Sequence, residues 1–254
     1  MPKHAQTRQN ILITGASSGL GKGMAVEFAK MGRNLALCAR RVERLTELQA
    51  ELLAINPEIK VLIKSLDVND HDAVFTVFKE FDAEMGGLDR IIVNAGMGKG
   101  ASIGTGYFYA NKQTAETNFV AALAQCEAAL EIFRAKNNGH LVTISSISAV
   151  SSYRRAMTVY AASKSALSSM SEGMRIDLMD TDINVSTVHP GFIRSEINEK
   201  VKKVPFIVDT ETGCKAMVKA IEKEGENSYV PSWPWAFLQL FLRIAPKSIL
   251  RKMS

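Results

Sequence analysis

Short apolar runs alternate with longer amphipathic segments along most of the chain. Six of these runs are predicted to be strands: Asn10–Thr14, Asn34–Ala39, Val61–Leu66, Asp89–Asn94, His140–Ser145 and Ile183–His189. The segments between and after them predict helices over about 21–31, 43–54, 70–85, 112–136, 160–180 and 210–224. The runs lack strict alternation of apolar and polar residues, which is typical of strands that helices cover on both faces.

This order of elements predicts an α/β fold. Strands that alternate with helices are joined by right-handed crossovers, which produce a doubly wound, Rossmann-type sheet. We expect a single domain over residues 1–230 with seven mostly parallel strands, because no linker, repeat or charge block divides the chain. Residues 231–254 are expected to form a basic, amphipathic tail that packs on this domain or on a partner subunit.

The composition fits a folded α/β protein. Hydrophobic residues make up 46% and charged residues 22% of the 254 residues, and the formal net charge is +5. Three separated cysteines (Cys38, Cys126 and Cys214) argue against a disulfide framework and favour a reducing compartment. The longest apolar stretch falls short of the roughly 20 residues that a bilayer requires, and the first residues are polar, so we expect a cytoplasmic protein. Scattered histidines and the absence of a groove-reading motif predict neither a metal site nor nucleic-acid binding.

A glycine-rich segment, TGASSGLG, occupies residues 14–21 between the first strand and the first helix. Glycines there let the backbone approach a phosphate, and the free N–H groups of the helix start can hold the anion. The segment therefore predicts a dinucleotide-binding loop. Its predicted cofactor contacts are Gly15, Ser17, Ser18, Gly19, Leu20 and Gly21.

Other interpretations of this segment compete. A P-loop requires Ser or Thr after Gly-Lys, but Gly23 follows Lys22. The segment also contains G-x-S-x-G around Ser17, the pattern of a hydrolase nucleophile. His189 is available as a partner, although no acid is convincingly placed and such an elbow usually follows several strands. A glycine turn without any ligand is the remaining alternative.

Five further motifs follow in a fixed order. They are Asn94-Ala95-Gly96, Asn118, Ser145-Ser146, Tyr160-x-x-x-Lys164 and Pro190-Gly191. In this order and spacing, the chain resembles the short-chain dehydrogenase/reductase family over about residues 8–230. The resemblance implies a nicotinamide cofactor and a small carbonyl or alcohol substrate. It also implies a homodimer or homotetramer joined through the long helices after strands four and five.

The Tyr-Lys pair has a physical rationale of its own. Tyr160 and Lys164 are four residues apart and would lie on one helix face, so the ammonium is expected to lower the phenol pKa from its usual value near 10. The resemblance implies that Lys164 also binds the nicotinamide ribose, that Ser146 holds the substrate oxygen and that Asn118 anchors a water molecule in a proton relay. Ser148 is the alternative to Ser146, because Ser146 stands at the long end of the family spacing.

The cofactor type is predicted from the end of the second strand. An acidic residue there would bind the ribose hydroxyl of NAD, but residues 28–42 contain neither Asp nor Glu and include Arg40 and Arg41. Guanidinium groups suit a phosphate, which favours NADP(H); alternatively, both arginines only begin a solvated helix. The resemblance adds as cofactor contacts Asp67, Val68, Asn94, Ala95, Gly96, Tyr160, Lys164, Pro190, Gly191, Ile193 and Ser195.

Two regions bear on the substrate and the partners. The aromatic residues Tyr107, Phe108, Tyr109 and Tyr153 predict an apolar carbonyl substrate, and Arg194–Val208 is predicted to be a flap over it. Residues 227–254 contain no acid and four bases, together with two tryptophans. This tail either packs over the pocket or a partner subunit, or makes peripheral contact with a membrane. The predicted function is an NADP(H)-dependent oxidoreductase, with a Ser17 hydrolase and a non-catalytic NADP-binding sensor as alternatives.

Overall fold

The computed structural model describes residues 7–151, 153–194 and 206–253. Its strands form one sheet in the order β3-β2-β1-β4-β5-β6-β7, and every pairing is parallel. The strands are β1 Asn10–Thr14, β2 Asn34–Ala39, β3 Val61–Ser65, β4 Arg90–Val93, β5 Asn138–Ile144, β6 Asp182–Pro190 and β7 Asn227–Val230. The α/β prediction of a doubly wound, seven-stranded sheet is confirmed.

Helices cover both faces of this sheet. Within the described residues they are α1 Gly19–Lys30, α2 Val42–Ile55, α3 His71–Met85, α4 Phe108–Ala115, α5 Ala121–Ala135, α6 Met157–Asp177, α7 Thr210–Glu222, α8 Ser232–Ile244 and α9 Lys247–Met253. Residues of β1 show how the two layers form, because Leu12 packs with α3 and α5 whereas Ile11 and Ile13 pack with α1, α2 and α7. Alternate side chains of one strand thus supply both cores.

The structure differs from the predicted elements in two places. The helix predicted over 112–136 begins at Phe108 and is interrupted by a π turn over Glu116–Val120. The π turn covers only five residues, which is too short a stretch to be located from the periodicity of the whole helical segment. The hydrophobic pattern also did not predict the position of strand β7, because its sequence NSYV is short and half polar.

The helix starts differ in how their N–H groups are used. Asp70 caps α3 by accepting a hydrogen bond from the backbone N of Ala73 (3.1 Å), and Asp209 caps α7 in the same way. Helix α1 follows Ser18, which makes no side-chain cap, and its first turn contains no acidic residue. The N-terminus of α1 therefore keeps its capacity to hold an anion at the carboxyl edge of the sheet.

The C-terminal segment packs on the same carboxyl edge. Trp235 and Leu242 of α8 are buried against Ile147 in a small apolar cluster. The indole of Trp235 lies directly on Gly191, where an added Cβ would stand 2.1 Å from the indole Nε1. Among the helices in the described part of the chain, none is both long enough and apolar enough to cross a membrane.

Candidate active site

The candidate site lies where β1 and β4 are neighbours and their following helices leave toward opposite faces of the sheet, the usual place for a ligand in such folds. The loop after β1 packs closely on the end of β4. Gly15 has a φ of +64°, and a Cβ there would lie 2.9 Å from the Ala95 Cα. A Cβ at Gly21 would lie 2.7 Å from the side-chain nitrogen of Asn94. Glycine is therefore required at both positions.

Asn94 and Thr14 hold this loop against the sheet. The hydroxyl of Thr14 accepts hydrogen bonds from the backbone nitrogens of Asn94 and Ala95, each at 3.1 Å. The Asn94 side chain in turn donates to the carbonyl oxygen of Thr14 at 2.8 Å. Asn94 thus braces the predicted cofactor loop with its own amide. Thr14 was not predicted as a site residue, and its only signal is its place before Gly15.

Arg41 lies over the glycine-rich loop. Its guanidinium donates to the hydroxyl of Ser17 at 3.1 Å and to that of Ser18 at 2.8 Å. Arg40 points elsewhere: it is 70% exposed and its Nη1 is 4.0 Å from the Asp67 carboxylate. The sequence gives no reason to distinguish these two arginines. In the structure, the side chain of Arg41 lies beside the uncapped start of α1, and that of Arg40 does not.

Ser146 and Tyr160 meet at the carboxyl end of β5. The Ser146 hydroxyl lies close enough to Tyr160 to lower the pKa of that phenol, and the Ser146 Oγ accepts a hydrogen bond from the backbone nitrogen of Ser148 at 3.1 Å. The neighbouring Ser145 is used differently, because its hydroxyl bonds the Lys164 carbonyl oxygen (3.0 Å) and the Ser168 hydroxyl (2.8 Å). Of these serines, Ser146 is the one whose side chain contacts the tyrosine.

Burial controls the ionisation of this cluster. Desolvation raises the pKa of Tyr160, and the hydrogen bond from Ser146 opposes that rise. Desolvation lowers the pKa of Lys164 to about 8. The prediction that Lys164 lowers the phenol pKa is wrong for the protein groups by themselves, because the Lys164 ammonium donates to the Ile144 carbonyl oxygen at 2.8 Å and burial dominates at Tyr160.

Asn118 lies in the π turn and is fully buried. Its amide donates to the Met97 carbonyl oxygen and accepts from the Met97 nitrogen, both at 2.8 Å, and it also donates to the Ser163 hydroxyl at 3.2 Å. A Cβ at Gly96 would lie 3.1 Å from the Asn118 Oδ1 and 3.3 Å from the Lys164 Nζ. Gly96 therefore lies against both predicted catalytic groups. The water-anchoring role of Asn118 remains a prediction.

Two predicted adenine contacts lie after β3. The Asp67 carboxylate accepts hydrogen bonds from the backbone nitrogen (3.0 Å) and side-chain nitrogen (2.9 Å) of Asn69, so it shapes the turn into α3. Val68 is 7% exposed and belongs to the core beneath this turn. The side chain of Val68 thus has little surface to offer a ligand.

The predicted contacts after β6 are only partly described. Pro190 ends β6, and the Gly191 nitrogen donates to the Val230 carbonyl oxygen at 2.8 Å. Ile193 is buried and forms an isolated parallel bridge with Val208. Ser195 and most of the predicted flap lie outside the described residues. Trp235 was not predicted as a neighbour of Gly191, because only the fold brings the tail there.

The competing interpretations of the glycine-rich loop find no support. The hydroxyl of Ser17 accepts from Arg41, whereas His189 faces the Ser146 carbonyl oxygen and the Asn227 side chain, each at 3.3 Å. Lys22 forms an ion pair with Glu51 at 2.8 Å. Within the described ranges, no group of three or more His, Cys, Asp or Glu is arranged to hold a metal ion.

An uncapped helix start behind a glycine-rich loop, together with a hydroxyl pair and a buried lysine at the switch point of a parallel sheet, is characteristic of dinucleotide-dependent oxidoreductases. Comparison with known proteins agrees. The family described as short chain dehydrogenase matches residues 9–205. The chain belongs to this short-chain dehydrogenase/reductase family, whose members bind a nicotinamide cofactor.

Individual relatives extend over most of the chain. An "Uncharacterized oxidoreductase" of Mycobacterium tuberculosis is 50% identical over 98% of both chains. An "NADP-dependent 3-hydroxy acid dehydrogenase" of Schizosaccharomyces pombe is 35% identical over 75% of this chain and 73% of its own. The crystal structure of levodione reductase superposes with a TM-score of 0.81 at 20% identity, covering 91% of this chain and all of that one, which supports the fold alone.

Proposed function

We propose that this protein is an NADP(H)-dependent oxidoreductase that interconverts an apolar ketone or aldehyde and the corresponding alcohol. The observation that carries the proposal is the interacting pair formed by the Ser146 hydroxyl and the buried Tyr160 phenol. It stands at the carboxyl end of β5, with Lys164 one helical turn beyond Tyr160. A nicotinamide bound there would supply or accept the hydride.

The protein's own groups would move the proton. Tyr160 is neutral at neutral pH because its pKa is raised, so its hydroxyl can donate a proton to a carbonyl oxygen that gains a hydride. Ser146 would donate a hydrogen bond to the same oxygen and orient it. Lys164, whose pKa is about 8, stays mostly protonated near pH 7, and the family resemblance implies that it would bind the nicotinamide ribose. In alcohol oxidation the proton returns to Tyr160.

The preference for NADP(H) rests on the loop beside α1. The guanidinium of Arg41 and the hydroxyls of Ser17 and Ser18 form a cationic, hydrogen-bonding group where a 2′-phosphate would stand, and Arg40 is near enough to add charge. We propose Asn118 as the water anchor of the proton relay. The other predicted cofactor contacts remain part of this proposal, with Val68 contributing its backbone.

Subunit assembly is proposed from the helices that follow β4 and β5. Exposed apolar side chains on or beside these helices include Val120, Leu123, Ile176 and Met179, which are 42%, 39%, 61% and 74% exposed. Apolar groups at this density on long helices are typical of subunit interfaces. A homodimer or homotetramer would cover them.

The decisive experiment measures NADPH and NADH oxidation with a panel of apolar ketones and aldehydes. We expect turnover with NADPH, and we expect Arg41→Ala to raise the KM for NADPH about tenfold to hundredfold because one charge-assisted interaction is lost. The KM for NADH should not change. Arg134→Ala, which removes an exposed arginine on α5, is the matched control.

Two results would contradict the proposal. A wild-type preference for NADH over NADPH would contradict the NADP assignment. So would an unchanged preference for NADPH in the variants Arg40→Asp and Arg41→Ala. Absence of carbonyl turnover with either cofactor, while cofactor binding is retained, would instead support a binding protein without catalysis.

A further inference from the structure

Helix α8 is apolar on two faces rather than one. Trp235, Leu238 and Leu242 face the protein and belong to the small cluster around Ile147. A second stripe on the same helix has the spacing i, i+3, i+4 and i+7 and faces outward. Its members are Phe237, Leu240, Phe241 and Ile244, which are 68%, 59%, 43% and 83% exposed. A surface helix normally turns polar residues toward water. These outward apolar side chains are therefore suited to contact with an apolar phase outside the protein, in addition to the protein interior on the other face.

The stripe continues beyond the helix into a patch of aromatic residues. Trp233 is 73% exposed and its ring lies 5.8 Å from that of Phe237, while Phe206 is 57% exposed and lies 6.1 Å from Trp235. The remaining exposed aromatic side chains in the described ranges are Tyr107, Phe108 and Tyr109. All of these residues follow the carboxyl ends of β4, β6 or β7, so the exposed aromatic surface is concentrated at the edge that carries the candidate site.

Within the segment that carries the stripe, the charged residues have one sign. Residues 227–254 include Arg243, Lys247, Arg251 and Lys252 and no acidic residue. Basic residues beside outward Trp, Phe and Leu are characteristic of helices that lie in the interface of an anionic bilayer. A second copy of this chain fits less well, because a twofold contact between two α8 helices would bring the same cations together.

We infer that α8 docks this protein on an anionic lipid surface, with Phe237, Leu240, Phe241 and Ile244 entering the interface and the basic residues meeting lipid phosphates. The docked face adjoins the candidate site, because the opposite side of α8 covers Gly191 through Trp235. Given the proposed reductase function, this position would bring an apolar carbonyl compound dissolved in the lipid close to the site, with α8 between the two.

The test is co-sedimentation of the full chain with phosphatidylcholine vesicles that contain or lack phosphatidylglycerol. We expect binding to the anionic vesicles that weakens as salt is added. Phe237→Glu with Ile244→Glu should lower the partition coefficient about tenfold or more for each side chain, since each loses its apolar transfer. Lys247→Gln and Arg251→Gln should each lower it about fivefold on anionic vesicles and leave zwitterionic vesicles unaffected.

Met31→Glu with Ile55→Glu is the matched control, because both are exposed apolar residues that end α1 and α2 at the opposite edge of the sheet. Equal sedimentation with and without vesicles, or equal loss in the control, would overturn the inference. Sedimentation velocity without lipid provides a further check: an oligomer abolished by Phe237→Glu would assign the stripe to a second copy instead. Vesicle binding requires no turnover, so this result is independent of the reductase assay.

Discussion

Buried ionisable groups lie at both edges of the central sheet, but their surroundings differ between the two edges. At the amino ends, Arg90, His140 and Glu224 are joined in a network of paired charges. At the carboxyl end of β5, Tyr160 and Lys164 are desolvated and have no carboxylate among their described partners. The contrast indicates which buried groups stabilise the fold and which remain available for proton transfer.

The amino-end network satisfies its members almost completely. Arg90 donates to the His140 Nδ1 at 2.8 Å and to Glu224 at 3.2 Å, and it also bonds Glu222. Arg8 donates to the same Glu224 oxygen, Oε1, at 2.8 Å and to the other oxygen, Oε2, at 3.2 Å. Burial would raise the pKa of Glu224, but the hydrogen bonds from Arg8 and its neighbours outweigh it and lower the pKa to about 2. These groups hold their charge states firmly.

The carboxyl-end cluster includes a group that titrates close to neutral pH instead. Lys164 has a backbone carbonyl as its described partner, so desolvation brings its pKa down to about 8, while desolvation keeps Tyr160 protonated. A small change in surroundings, such as a ligand charge, can therefore shift the Lys164 proton. Removing a group at this end should affect chemistry, whereas removing one at the other end should affect stability.

The largest expected effect is on turnover. Tyr160→Phe removes the proton donor while keeping the ring, and we expect kcat for carbonyl reduction to fall about 10²- to 10⁴-fold, the usual contribution of general acid catalysis. Steady-state NADPH kinetics measure the loss, and the midpoint of thermal unfolding should stay near that of the wild type.

Neighbouring serines sharpen this prediction. Ser146→Ala should also reduce kcat sharply with little change in NADPH affinity, whereas Ser148→Ala should leave kcat close to normal. The reverse pattern would transfer the substrate-orienting role to Ser148, and a Tyr160→Phe variant with full activity would exclude the tyrosine as proton donor.

A slightly smaller effect is expected at the amino end. Glu224→Gln leaves Arg8 without its buried carboxylate and should lower the free energy of unfolding by about 3–5 kcal/mol, which for a chain of this length is roughly 6–20 °C in Tm. Activity per folded molecule should be unchanged. As a control, Glu80→Gln breaks the exposed pair with Lys64 and should lower the free energy of unfolding by less than about 1 kcal/mol. Equal losses of stability in the two variants would contradict a special role for the buried network.

A more gradual effect, spread over several pH units, is a pH dependence of stability. Burial and the charge of Arg90 lower the pKa of His140 from 6.5 to about 3, and the pKa of Glu224 falls from 4.5 to about 2. In both cases the unfolded state binds the proton more tightly, so stability is fully present above pH 6.5 and is lost as the pH falls toward 2. Each group contributes a slope of at most about 1.4 kcal/mol per pH unit.

Denaturant unfolding between pH 7 and 3 measures this slope. Glu224→Gln should flatten the part of the profile below pH 4.5, where the carboxylate titrates in the unfolded chain. A wild-type free energy of unfolding that stays level from pH 7 to 4 would show that His140 is not held neutral by its surroundings.

Much of the fold was predictable because its signals are local. Apolar runs separated by helical patterns located six of the seven strands, and the glycines of residues 14–21 marked the loop that packs on Ala95. The motif order identified the family. The π turn around Asn118 and the strand β7 escaped prediction, since one depends on a single added residue and the other on pairing with β6.

The amino-acid order alone was sufficient for the parallel sheet, the glycine-rich loop and the residue types at the candidate site, because periodicity, glycine positions and Tyr-Lys spacing act over a few neighbouring residues. Only the folded chain decided which hydroxyl meets Tyr160, which arginine covers the loop and in which direction the phenol pKa moves. It also joined Arg8 to Glu224, which are 216 positions apart. Burial and long-range contacts control these properties, and neither is encoded within a short stretch of sequence.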